Sequence, residues 1–106
     1  SHSDARGELA LAGIAGGRLV ERRVDRTFVD ADGVRWIVDF KTSVHEGGGL
    51  EGFLSSELER YRGQMQDYRE LLANLEPERT IRVGLYFPLM GVWREYETRM
   101  AASATR

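Results

Sequence analysis

The residues best suited to chemistry are Asp39 and Lys41, two charges set into the end of "RWIVDFK" (Arg35–Lys41). The rest of that run is apolar enough for a buried strand. Lys41 is the only lysine among fifteen basic residues, the other fourteen being arginine. Where any cation serves, this chain uses arginine. A retained lysine therefore points to a need for a compact, mobile ammonium that a planar guanidinium cannot imitate. A third charge, Asp25, lies upstream in "VDR" (Val24–Arg26). If Asp25 and Asp39 share one sheet face, two like charges oppose each other across strands, which is destabilising unless a cation joins them. Hard divalent ions such as Mg²⁺ or Mn²⁺ take oxygen ligands from one or two carboxylates and keep several waters. Lys41, two residues past Asp39, points to the same side by strand alternation. Two carboxylates and an ammonium suit phosphoryl chemistry, in which a metal activates water and the ammonium stabilises developing charge. The plainer alternative is an Asp39–Lys41 salt bridge at a strand end.

The turn "DADG" (Asp30–Gly33) decides whether the two aspartates meet. A two-residue loop would pair Asp30 with Gly33 and send Asp25 and Asp39 to opposite faces. A three-residue loop with Gly33 in the left-handed position of a G1 bulge pairs Asp30 with Val34 and sets Asp25 across from Asp39. Glycine as the last loop residue favours the second.

Several elements must hold this arrangement. Glu8–Ile14 reads as a first strand closed by Ala15-Gly16-Gly17, and Arg18–Val29 as a second. Val34–Lys41 is a third, apolar on both sides and so expected to be central. A glycine-rich loop, Thr42–Gly49, leads to a helix from about Leu50 to Leu75. There Leu54, Leu58, Tyr61, Met65, Tyr68, Leu72 and Leu75 recur at steps of three or four. Ser56 with Glu59 forms a capping box, which would start the regular helix there, and Glu76-Pro77 ends it. Thr80–Pro88 and Gly91–Glu97 read as the last strands. The order β-β-β-α-β-β predicts an α+β (mixed α/β) fold with one long helix packed on a central sheet. Residues 1–7 read as a frayed or tag-derived end, 8–97 as the domain, and 98–106 as a loose tail.

The 106 residues suit one small domain, and a net charge of −2 gives no general attraction for polyanions. Any nucleic-acid contact must be local. No cysteine is present, which excludes disulfides and thiolate metal sites. No apolar run reaches membrane-spanning length and no signal peptide is visible, so a cytoplasmic location without membrane partners is the default expectation.

Taken together, "VDR" with Asp25, "WIVDFKTS" with Asp39 and Lys41, and "QMQDY" with Gln64 and Tyr68 resemble the PD-(D/E)XK nuclease superfamily. More narrowly, they are similar to the RecB-like nuclease domain that ends AddA and RecB helicase–nuclease chains. Val24 stands where the superfamily's name has proline. Asp-x-Lys alone is a weak signal; three motifs in order, on strand, strand and helix, are a specific one. The likeness runs from about Glu8 to Glu97 and includes "LYFP" and "VWREY" as the last strands.

The resemblance implies a restriction-endonuclease-like core and metal-dependent hydrolysis of DNA in recombination and double-strand-break repair. Asp25, Asp39 and the Phe40 backbone carbonyl would hold Mg²⁺ or Mn²⁺, and Lys41 would orient water and stabilise charge. Gln64 and Tyr68 would secure the site and the strand. Arg26, Arg60 and Arg62, with Arg23 and Arg69, could contact phosphates, although ordinary solvated charges read the same way. The partners implied are DNA, the helicase domains of a parent chain that would bind ATP, and a second nuclease or helicase subunit. Such domains usually have an upstream helix with a metal-ligating histidine. Nothing before Glu8 matches it, since His2 falls in the patternless end, so the chain reads as a piece of a larger helicase–nuclease. His45 and Glu8 are weak substitute ligands. A missing helix would bare apolar sheet surface, weaken metal binding and cleavage, and invite a homodimer. The alternatives are a nuclease-inactive DNA-binding or structural module of a helicase, and an unrelated α+β interaction domain.

Overall fold

A computed structural model describes residues 9–97. Glu8, His2 and the rest of residues 1–7, and the 98–106 tail, for which the sequence raised expectations, lie outside the described residues. Within that range the chain is α+β, with strands β1 (Leu9–Ala15), β2 (Arg18–Val24), β3 (Arg26–Val29) and β4 (Arg35–Phe40), helix α1 (Leu50–Leu75), then β5 (Ile81–Phe87) and β6 (Val92–Glu95). The stretch expected to be one second strand is two, because the chain bends at Asp25. β1 and β2 form a two-stranded antiparallel hairpin, while the other four strands form a sheet in the order β3-β4-β5-β6. That sheet is mixed: β4 and β5 run parallel, and the outer pairings are antiparallel. A parallel pair needs a crossover, and α1 provides it.

The hairpin β1–β2 turns through Gly16-Gly17 and packs on α1. Polar ties hold it there. Gly16 N–H donates to Glu70 at 3.0 Å, and Arg22 donates to the buried Asp67 at 2.8 Å. Gly13 lets β1 approach the helix closely, since a Cβ there would stand 3.0 Å from Leu71.

The helix starts six residues before Ser56, at Leu50, with Gly49 in the left-handed conformation and no side-chain cap. The expected capping box at Ser56–Glu59 is therefore interior. Packing rather than capping sets the start: Leu50 and Phe53 lie on the core and Leu54 is buried in it. Of the expected stripe, Leu54, Met65, Tyr68 and Leu72 are buried, Leu58 and Tyr61 partly so, and Leu75 is exposed. Leu71, absent from that stripe, is buried instead. These side chains meet Ile37, Val83, Leu85 and Phe87 from one face of the sheet. Each fully buried apolar side chain contributes roughly 1.5–3 kcal/mol.

β4 is central, as expected, but not buried on both faces. Arg35, Ile37 and Asp39 face the helix and are buried, whereas Trp36 and Val38 are half-buried and Phe40 is exposed on the other side. There Phe28, Trp36, Val38 and Trp93 line an open apolar groove of about 300 Å³. Trp93 lies over Gly84, where any Cβ would collide with its ring. No helix of the described residues is long and apolar enough to cross a membrane.

Candidate active site

The site begins with the turn. Asp30 N–H donates to Val34 O at 2.9 Å and Gly33 N–H to Asp30 O at 3.0 Å, with Gly33 at φ 83°. A positive φ costs glycine little and other residues more. This is the three-residue loop, and β3 and β4 pair in the matching register from Val29↔Arg35 to Arg26↔Val38. Alternation from the hydrogen-bonded Asp30–Val34 pair makes the next position, Asp25 opposite Asp39, a non-hydrogen-bonded one, the kind in which side chains stand closest.

The ladder stops there because the chain bends at Asp25. The next N–H on β4, that of Phe40, is met by a side chain: it donates to Asp25 Oδ2 at 3.0 Å. Lys41 N–H turns to the other neighbour and donates to Tyr86 O at 2.9 Å. By the same alternation the Phe40 carbonyl, like its N–H, points toward Asp25. Asp25, the Phe40 backbone and Asp39 thus gather at one strand end.

Asp39 is only 4% exposed. Lys41 Nζ stands 2.7 Å from its Oδ2. At that distance the ammonium is a charge-assisted partner of this buried oxygen. Burial pushes the Asp39 carboxyl up to about 6, Lys41 opposes the rise, and the neighbouring Asp25 carboxyl adds to it. Ionised Asp39 is under-compensated here: one ammonium does not offset burial and a like charge together.

The helix braces this end of the sheet. Gln64 Nε2 donates to Tyr68 Oη at 2.6 Å, and Tyr68 Oη donates to Arg23 O at 2.9 Å, two residues before Asp25. Burial first, then the charge of Asp39, pushes the Tyr68 hydroxyl up to about 12, so it stays a donor at physiological pH. The Gln64–Tyr68 pair therefore clamps the corner that carries Asp25. One turn earlier, Tyr61 places its ring under Lys41, with Nζ 3.5 Å from the ring centroid. The sequence reading treated Tyr61 only as a core position. The available signal was its place three residues before Gln64, on the same helical stripe. Glu57, also missed, is buried nearby and accepts a long hydrogen bond from Ser43 Oγ at 3.4 Å.

The other candidates make contacts of their own. His45 stacks on Phe53 at 4.8 Å, and its Nε2 lies 2.8 Å from Gly48 O, which closes its own loop. Arg60 pairs with Glu57 at 3.6 Å. Arg62 is held between Glu59 at 3.2 Å and Glu97 at 2.8 Å. Arg69 donates to Glu97 O at 2.9 Å, while Arg26, exposed and paired with Val38, lies on the sheet face opposite to Asp39. The helix arginines are thus engaged with acids rather than turned as a group toward the strand end.

Among the described residues no group of three or more His, Cys, Asp or Glu is placed to hold a metal ion. Two carboxylates and a backbone carbonyl do fit a hard cation that keeps several waters. Such an ion would offset the like charges that Lys41 alone leaves under-compensated at Asp39. The roomiest cavity described, about 620 Å³, lies elsewhere, between the Asp32–Val34 turn and Glu76–Thr80. It is far from the chemistry at the opposite end of β4. In comparisons with known proteins, no family model matches the chain and no curated protein does.

Proposed function

We propose that this chain is a divalent-metal-dependent DNA nuclease domain of the RecB-like type, with a restriction-endonuclease-like core. The observation that carries the reading is the buried Asp39 carboxylate with a second carboxylate, Asp25, as its neighbour and the ammonium of Lys41 at 2.7 Å. Two like charges gathered at one strand end are destabilising unless a cation joins them. Asp25, Asp39 and the Phe40 carbonyl would hold Mg²⁺ or Mn²⁺. When bound, the ion would supply an activated water and neutralise charge on the scissile phosphate.

The chain's own residues do the rest. Asp39 fixes the position of the Lys41 ammonium through their ion pair, and that ammonium faces the developing negative charge. Tyr68 and Gln64 hold the Arg23 carbonyl, so Asp25 keeps its place against Phe40 N–H. The helicase, its ATP and a partner subunit belong to this reading as the setting in which the domain would work.

The test is metal titration of the chain with cleavage of labelled single- and double-stranded DNA. Mn²⁺ or Mg²⁺ should raise Tm, because a ligand bound only by the folded state stabilises it. Lys41→Arg should retain that rise and lose cleavage, since charge is kept but the compact ammonium is not. A chain that binds DNA with no response to either metal would instead be a nuclease-inactive module.

A further inference from the structure

We infer that Tyr61 is the positioning residue for Lys41: its ring face holds the ammonium at the site when a cation claims the Asp39 carboxylate. This rests on the nuclease reading and deepens it. Lys41 Nζ touches two groups at once, Asp39 Oδ2 at 2.7 Å and the Tyr61 ring at 3.5 Å from its centroid. The other cation–ring contacts described all involve arginine and are longer, from 4.6 to 5.4 Å. Arg60 is one of them, 5.2 Å from the same ring, with its charge directed to Glu57.

The two contacts respond oppositely to a metal. A divalent ion on Asp39 competes for the oxygen that Lys41 uses and repels the ammonium by Coulomb's law. With no second partner, a four-carbon side chain would swing into solvent and the site would lose its cation on loading. An aromatic face attracts an ammonium but is a poor ligand for a hard, oxygen-seeking ion. Tyr61 therefore keeps its partner when Asp39 gives up its own. The same geometry gives a reason for lysine. A guanidinium stacks flat on a ring, whereas an ammonium can rest on the face and still direct its remaining donors at an oxygen.

Because Lys41 is the only lysine, isotope-labelled lysine gives one set of side-chain signals. Methylene protons held over a ring resonate upfield. That upfield shift is expected in the wild-type chain and in Tyr61→Phe, both without metal and in saturating Mg²⁺, and is lost in Tyr61→Leu. Retention in the Phe variant separates ring face from hydroxyl and shows that a folded protein with an aromatic at 61 suffices. Wild-type signals at ordinary positions, or a Mg²⁺-induced return to them, would overturn the inference. The nuclease reading is judged separately, by whether Mg²⁺ moves the Asp25 and Asp39 carboxyl signals. If it moves neither, that reading falls and the metal-free spectra alone decide whether Tyr61 holds Lys41.

Discussion

The two ends of β4 each bury a charge against the helix side of the sheet, and they are finished differently. At the start, Arg35 is 6% exposed and fully engaged. Its Nε and Nη2 donate to the two oxygens of Glu76 at 3.0 and 2.6 Å, a bidentate pair, and Nη1 reaches Thr27 Oγ1 at 3.4 Å. At the finish, Asp39 has one ammonium beside it at 2.7 Å and a second aspartate as its neighbour. Their acids shift in opposite directions. Hydrogen bonds from Arg35 hold Glu76 below the usual carboxylate range, whereas burial raises Asp39 to about 6. A buried charge that is fully paired locks the α1–β5 junction to the sheet. One set beside a like charge and offset by a single ammonium stays under-compensated.

The largest effect should come from breaking the satisfied end. Arg35→Leu removes one partner of a largely buried pair and should cost about 3 kcal/mol in denaturant unfolding. The metal-induced rise in Tm should survive, because Asp25 and Asp39 are untouched. Loss of that rise in a folded variant would mean the two ends are not independent.

Asp39→Asn should go the other way. The folded carboxyl binds its proton more tightly than the unfolded one, from 3.8 up to about 6. Stability is therefore full below the unfolded value and falls as pH rises through that window. Removing the charge should stabilise the chain by roughly 1–2 kcal/mol at pH 7.5 and by little below pH ~4, while abolishing the metal response. The depressed Glu76 has the opposite sign: its contribution is present above its unfolded value and is lost on acidification. Destabilisation by Asp39→Asn at pH 7.5 would make both ends of β4 structural pairs of one kind.

The smallest effect concerns the clamp. Tyr68→Phe removes the donor to Arg23 O and the acceptor for Gln64, and should cost about 1 kcal/mol. Metal affinity measured by the same titration should weaken with it, because the corner carrying Asp25 is loosened. An unchanged affinity would confine Tyr68 to the core.

Much of this was legible in local sequence. Gly33 closing "DADG" implied the turn, the turn implied the register as far as Arg26↔Val38, and Asp25, just past its end, is a neighbour of Asp39. Pattern alone also placed the helix span and the strand order after it. What failed did so where tertiary contacts outvote local signals. Ser56–Glu59 has the form of a cap, yet apolar contacts at Leu50, Phe53 and Leu54 carry the helix past it. The break of the second strand at Asp25 has no glycine or proline to announce it. It exists because β2 pairs with β1 while β3 pairs with β4.

The sequence by itself determined which charges share a face, since a strand's two-residue period and a turn's length are local properties. Only the tertiary structure decided how those charges are met. Burial of Asp39, the ring of Tyr61 under Lys41 and the pairing of Arg60 and Arg62 with acids all depend on where a helix crosses a sheet. The same holds for the face of β4 left open. An apolar run records that a side chain can be buried, not which of its two faces finds a partner.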